Sequence, residues 1–188
     1  MIHLEPPINI GVSIDLAHNA LLLGMVASLK PDRVCDIGFG NGYTADSISQ
    51  ALQWNKKGTL TIVENWQDSN GIMPLHAKQW STVYDFVTFT ESSEEAFIKS
   101  CPYHTFDILV SDADHSNTHK WITETFKIVR PGGVLFFHDT NSLERPNLAG
   151  IVEVVKRRRM PHFHFTESSR PEERCHRGWL MVKNEEVA

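Results

Sequence analysis

Residues 34–48, VCDIGFGNGYTADSI, decide the fold. An apolar run that starts at Arg33 breaks at Gly38 into spaced glycines, Gly38, Gly40 and Gly42, and from Thr44 to Gln53 apolar residues return at helical spacing. The pattern is strand, tight turn, helix. Glycines in such a turn let the backbone approach a ligand closely and present N–H groups near the helix start, although a tight turn also needs them for purely structural reasons. Upstream, Leu16, Ala20, Leu23 and Ala27, together with Leu22, Val26 and Leu29, predict a helix over 13–29, with Ser13 as N-cap and Pro31 beyond its end.

Downstream the rhythm repeats. Strands are expected over 59–64, 85–90 and 106–111, and helices over 74–82, 93–100 and 116–129. Pro131, Gly132 and Gly133 precede a fifth strand, Val134 to His138, and a polar stretch from Thr140 to Gly150 precedes a helix over 151–159. Alternation of this kind demands an α/β fold, a parallel sheet with helices on both faces. The ending differs: strands over 161–166 and 178–183 are joined by a polar loop too short for a crossover helix, so these two should pair antiparallel. With no internal repeat, linker or low-complexity tract, residues 1–188 read as a single domain, long enough to bury a core.

Composition narrows the function. The 188 residues are 41% hydrophobic and 22% charged with a formal net charge of −5, which gives no electrostatic reason to expect nucleic acid. Cys35, Cys101 and Cys175 form no CxxC pair, which argues against a disulfide framework or structural zinc and suits a reducing cytoplasm. The opening MIHLEPPINI lacks the features of a signal peptide, and no apolar run reaches membrane-spanning length. The run Lys156 to Arg159 reads as a solvated helix end complementing the helix dipole.

The chemistry-bearing residues gather at the predicted strand ends, the edge where open α/β sheets bind ligands. Asp36 precedes the glycines: a carboxylate there repels a dinucleotide pyrophosphate and suits the positively charged amino-acid end of S-adenosylmethionine. Glu64 ends the second strand, where a carboxylate can accept hydrogen bonds from both hydroxyls of a ribose. Ser92 and Ser93 follow the third strand and either contact an adenine edge or cap the next helix. Asp112, Asp114 and His115 lie in SDADHS after the fourth, and His138 and Asp139 end the fifth. Asp114 reads as a cap or orienting residue for the helix containing His119. His115 and His119, at i and i+4, read first as a solvated polar face. His162 and His164, alternating with Phe163 and Phe165, read as structural, and Phe136 and Phe137 as core.

Taken together, residues 34–42, the strand end at Glu64, SDADHSNTHKW and PGGVLFFHDT resemble the class I S-adenosylmethionine-dependent methyltransferases. The resemblance is nearest to the small-molecule O-methyltransferases whose motifs read close to DGDHSY and GGxxxxHD, and it spans about residues 10 to 183. It implies a Rossmann-like, seven-stranded sheet ordered 3-2-1-4-5-7-6 with the last strand antiparallel. It also implies S-adenosylmethionine as cofactor, contacted by Asp36, Gly38, Gly40, Glu64, Ser92 and Asp112. Two departures stand out: Glu91 and Ser92 replace a glycine and an acid in the third motif, and Asn117 and Thr118 replace the usual aromatic after the fourth.

Methyl transfer from a sulfonium requires alignment of the acceptor and removal of its proton. In the metal-dependent branch of the family, residues at the positions of Asp112, His138 and Asp139 hold a divalent cation; this donor set suits Mg or Mn, and the histidine admits Fe or Zn. A metal-free version uses His138 or His115 as general base, oriented by Asp112 or Asp139. The acceptor is expected to be a small molecule carrying a phenolic, sugar or natural-product hydroxyl, with N-methylation the lesser expectation. Trp66, Trp80 and the segment between them are candidates to cover the adenine end, and the loop 141–150 to cover the acceptor. The first helix is short for a dimer-forming arm, and a homodimer through other surfaces stays open. The rivals are a nicotinamide-dependent oxidoreductase, which Asp36 and the antiparallel ending disfavour, a silent S-adenosylmethionine-binding module, which has no need of Asp112, His138 and Asp139, and an RNA methyltransferase, which lacks a basic surface.

Overall fold

The computed structural model describes residues 16–65, 77–141, 146–166 and 178–185. Among them the chain runs α1 (Leu16–Leu29), β1 (Arg33–Ile37), α2 (Tyr43–Asn55), β2 (Thr59–Glu64), β3 (Val87–Glu91), α3 (Glu94–Ser100), β4 (Phe106–Ser111), a 3-10 turn (Thr118–Trp121), α4 (Ile122–Ile128), β5 (Val129–His138), α5 (Pro146–Arg157), β6 (His162–Phe165) and β7 (Trp179–Lys183). Ser13, Trp66, residues 74–76 of the expected helix over 74–82, residues 142–145, the loop 167–177 and Cys175 lie outside the described residues.

The seven strands order β3-β2-β1-β4-β5-β7-β6, as the resemblance implied. The β1, β2, β3, β4 and β5 pairings are parallel, while β7 runs antiparallel to both β5 and β6. The period of two along the strands divides the core between the two faces. Val34, Ile108, Val110, Val134 and Phe136 pack with Leu22 and Val26 of α1 and Ile48 and Leu52 of α2. Cys35, Ile37, Leu109, Leu135 and Phe137 pack with Ile98 of α3, Ile122 and Phe126 of α4, and Ile151 and Val155 of α5. Phe136 and Phe137 are thus both core, on opposite faces.

Beyond shifts of one or two residues at other ends, three elements depart from expectation for identifiable reasons. β5 starts at Val129 rather than Val134, carrying Pro131, Gly132 and Gly133 inside the strand. A register shift against β4 between Phe106 and Ile108 absorbs the extra residues. Glycine is required at 133, where a Cβ would lie 2.7 Å from the Asp107 carbonyl oxygen. The expected helix over 116–129 is a 3-10 turn followed by α4, because Asp114 first folds residues 114–117 into a turn. α5 begins at Pro146, five residues early, since proline suits a first helical turn and Leu148 reaches the core.

Candidate active site

The turn after β1 is tight because β4 passes close beside it. Gly38 has φ +97°, and a Cβ there would lie 2.5 Å from the Asp112 carbonyl oxygen. Gly38 N–H donates to Val63 O and Asp112 N–H donates to Ile37 O, each at 2.9 Å, so β1, β2 and β4 are stitched together where they end. Gly40, at φ +52°, would meet nothing within 4 Å if it carried a Cβ, and its N–H donates to Glu64 Oε2 at 3.3 Å. Gly42 caps α2, with the Phe39 ring 2.8 Å from where its Cβ would stand.

Asp36 is the anomaly. It is 0% exposed, and neither carboxylate oxygen has a hydrogen-bond partner among the described residues. Burial first, then the neighbouring charges of Asp112 and Glu64, push its carboxyl well above the ordinary range. Glu64, also buried, accepts from Asn65 N–H at 2.8 Å as well as from Gly40.

On the adjacent strand ends, Asp112, His115, His138 and Asp139 meet. His115 Nε2 lies 3.0 Å from Asp112 Oδ1 and 3.3 Å from Asp139 Oδ2. His138 Nδ1 lies 3.2 Å from Asp112 Oδ1 and 3.3 Å from Asp139 Oδ1. Asp112, His138 and Asp139 each offer a ligand atom, all within 4.8 Å of one another. Burial acts to raise the Asp112 carboxyl, but the two imidazoles outweigh it and hold Asp112 well below the usual carboxylate range. Asp139 adopts φ +57°, a left-handed conformation that turns the chain directly after β5.

The other candidate residues have plainer positions. Ser93 Oγ accepts from Ala96 N–H at 3.2 Å as the N-cap of α3, and Ser92 Oγ donates to Ser93 O at 3.1 Å. Asp114 Oδ1 accepts from the backbone N–H of Ser116 and Asn117, each at 3.1 Å. His115 and His119 do not share a helical face, since helical structure begins only at Thr118. His164 Nε2 lies 3.1 Å from Thr140 Oγ1, and burial holds its imidazole below the ordinary value. Trp80 packs on Phe39 at 6.4 Å between ring centroids.

Two residues escaped the sequence reading. His18 is 2% exposed on α1, its ring 5.9 Å from that of His138 and 5.4 Å from Trp179. Its signal was its place at i−4 from Leu22 and i−8 from Val26, on the buried stripe of the helix. Glu94, 3% exposed at the start of α3, resembled an ordinary first-turn acid, and nothing local marked it as buried.

Comparison with known proteins agrees with the fold. No curated protein matches the sequence significantly. Among solved structures, the O-methyltransferase from Bacillus cereus in complex with SAH is 16% identical, covering 92% of this chain and 83% of that one with a TM-score of 0.72. The O-methyltransferase TomG from Streptomyces achromogenes, solved with SAM and involved in tomaymycin synthesis, is 16% identical over 93% and 82% of the two chains, with a TM-score of 0.70. SAH-bound methyltransferase PaMTH1 from Podospora anserina is 15% identical over 92% and 80%, also at 0.70. A family model described as a methyltransferase domain matches residues 35–140, from the strand carrying Asp36 to the residue after Asp139, and the chain belongs to that methyltransferase family.

Proposed function

We propose that residues 1–188 form one cytoplasmic S-adenosylmethionine-dependent O-methyltransferase domain acting on a small-molecule hydroxyl, of phenolic, sugar or natural-product type. The observation that carries the cofactor is Asp36. A buried carboxylate without a donor costs several kcal/mol unless a cation compensates it or it takes up a proton. Asp36 would meet the ammonium end of the cofactor, Gly38 and Gly40 would let the backbone approach it, and Glu64 would take the ribose hydroxyls. S-adenosylmethionine supplies an electrophilic methyl on a sulfonium. The complexes of the Bacillus cereus, Streptomyces and Podospora proteins with SAM or SAH support this choice. The free thiols of Cys35 and Cys101 suit a reducing compartment.

Proton removal from the acceptor falls to the Asp112, His115, His138 and Asp139 group. Donor atoms 3.2 and 3.3 Å apart suit a divalent ion, since octahedral ligands at about 2.1 Å from a metal stand roughly 3 Å from one another. Asp112, His138 and Asp139 would hold Mg or Mn, which would lower the pKa of the acceptor hydroxyl. A second version, favoured by the contact of His138 Nδ1 with Asp112, has His138 take the proton while Asp112 orients its ring.

Calorimetry with S-adenosylmethionine, SAH and NAD tests the cofactor. Micromolar binding of the first two, roughly −8 kcal/mol, is expected, with far weaker binding of NAD. Equal affinity for NAD would overturn the reading. A panel of phenolic and sugar hydroxyls, assayed with and without chelator, separates the two proton versions: chelation abolishes transfer in the first and leaves it intact in the second.

A further inference from the structure

Among the described residues Glu94 makes three side-chain hydrogen-bond contacts, to the last residue of β4 and to the segment that follows it. Ser111 Oγ donates to its Oε1 at 2.6 Å, Asp114 N–H donates to its Oε2 at 3.2 Å, and Thr118 Oγ1 lies 2.6 Å from Oε2. These anchors stand before, within and after the stretch that bears Asp112 and His115. Among the described residues no other side chain reaches both ends of that stretch in the same way: Asp114 closes only its own turn, through Ser116, Asn117 and the carbonyl contact of Thr118.

The hydrogens must also be counted. Thr118 Oγ1 has one proton and two oxygens close by, Glu94 Oε2 at 2.6 Å and Asp114 O at 2.7 Å. A backbone carbonyl cannot donate. Both contacts are full hydrogen bonds only when Thr118 donates to the Asp114 carbonyl and Glu94 donates its own proton to Thr118. Burial raises the Glu94 carboxyl above the ordinary range even against its contacts with Ser111, Thr118 and Asp114, the same direction as this proton count.

We infer that Glu94 is a positioning residue, a protonated carboxyl that clamps residues 111–118 and so holds Asp112 and His115 in place beside His138 and Asp139. The inference rests on the methyltransferase reading for its purpose, but the clamp itself is a matter of local structure. In a neutral clamp, Glu94→Gln keeps one acceptor for Ser111 and one donor for Thr118 and loses only the acceptor for Asp114 N–H, whereas Glu94→Ala keeps none of the three.

The test is amide hydrogen exchange across the whole protein, with the imidazole NMR signals of His115 and His138, on wild type, Glu94→Gln, Glu94→Ala and Thr118→Val. In Glu94→Ala, exchange of the amides of residues 112–118 should rise at least about tenfold while that of α1 and α2 is unchanged, since a clamp lost at one segment opens that segment alone. The His115 signal should move with it. Glu94→Gln should stay within about threefold of wild type on the same amides apart from that of Asp114, which loses its acceptor, and Thr118→Val should fall between the two. Should Glu94→Ala not fold, Glu94→Gln and Thr118→Val decide the matter. Unchanged exchange in the alanine and valine variants overturns the clamp, and a glutamine variant loosened about tenfold or more, as expected of Glu94→Ala, overturns the neutral carboxyl. Calorimetry with SAH on the same samples keeps the two ideas apart. Wild type that fails to bind SAH while the exchange pattern holds refutes the methyltransferase reading and leaves the clamp standing.

Discussion

Two aspartates on neighbouring strands of one sheet have opposite fates. Asp107, near the start of β4, accepts from the backbone N–H of Asp32 and Arg33, each at 2.7 Å, and pairs with the Arg130 guanidinium. Asp36, near the end of β1, is more deeply buried and has no hydrogen-bond partner among the described residues. The electrostatics follow. Burial acts to raise the Asp107 carboxyl, but Arg130 and the two amides outweigh it and hold it below the ordinary value; at Asp36 burial, Asp112 and Glu64 all push upward. The starting edge of the sheet spends its carboxylate on joining β1, β4 and β5, whereas the finishing edge gathers Asp36, Glu64, Asp112 and Asp139 with histidines as their basic neighbours. Under the proposed function one edge serves stability and the other a ligand.

The largest way to sharpen that contrast lies at His138. His138→Ala should lower methyl transfer by roughly a hundredfold to ten-thousandfold, the usual worth of a positioned acid–base or activating group, while SAH affinity measured by calorimetry changes little. Full activity in a variant lacking both His138 and Asp139 would remove this edge from the chemistry. Next is Asp107→Ala, which should destabilise the fold by about 1.5–3 kcal/mol in denaturant titration, because hydrogen bonds to a charged group are lost and two amides are left without their acceptor. SAH binding should be untouched by it.

Asp36→Ala should do the reverse. It should weaken SAH binding by at least about 1.5 kcal/mol while leaving the melting temperature no lower, since it removes a buried carboxylate that has no donor among the described residues. A collapsed fold and intact binding would exchange the roles assigned to the two aspartates. Glu64→Gln should likewise weaken SAH binding with a nearly unchanged melting temperature.

The smallest effect is in the pH dependence of stability, where the two aspartates differ in sign. A carboxyl whose pKa is depressed by folding contributes stability that is present above its unfolded value, near 3.9, and is lost as pH falls through the folded one. Asp107 is of this kind, so Asp107→Asn should flatten the acid limb of a stability curve. A carboxyl raised by folding contributes stability below its unfolded value that is lost as pH rises through the folded one. Asp36→Asn should therefore flatten a decline on the neutral side of pH 4, measured without cofactor.

Much of this could be read along the chain, because the signals are local. The alternation of strands and helices, the glycine turn behind Asp36 and the strand ends at Glu64, Asp112 and His138 each occupy a few consecutive residues. Boundaries moved where a local cue had two meanings. Pro131 to Gly133 read as the entry to the fifth strand and became part of β5, and Asp114 read as a cap or orienting residue and closes a turn ahead of a 3-10 segment.

The sequence by itself determined the class of fold and the strand ends at which Asp36, Glu64, Asp112, His138 and Asp139 stand, since periodicity and turn chemistry are properties of neighbours in the chain. Only the tertiary structure decided which of those acids is satisfied. Asp107 and Asp36 are both single aspartates in apolar runs, and what separates them is Arg130 and two amides brought from β1 and β5 to one of them and not to the other. The same holds for Glu94, whose partners lie 17, 20 and 24 residues away, and for His18, which meets His138 from the far end of the chain. Burial and hydrogen-bond satisfaction depend on what packs across the gap, and that is known only once the strands have paired.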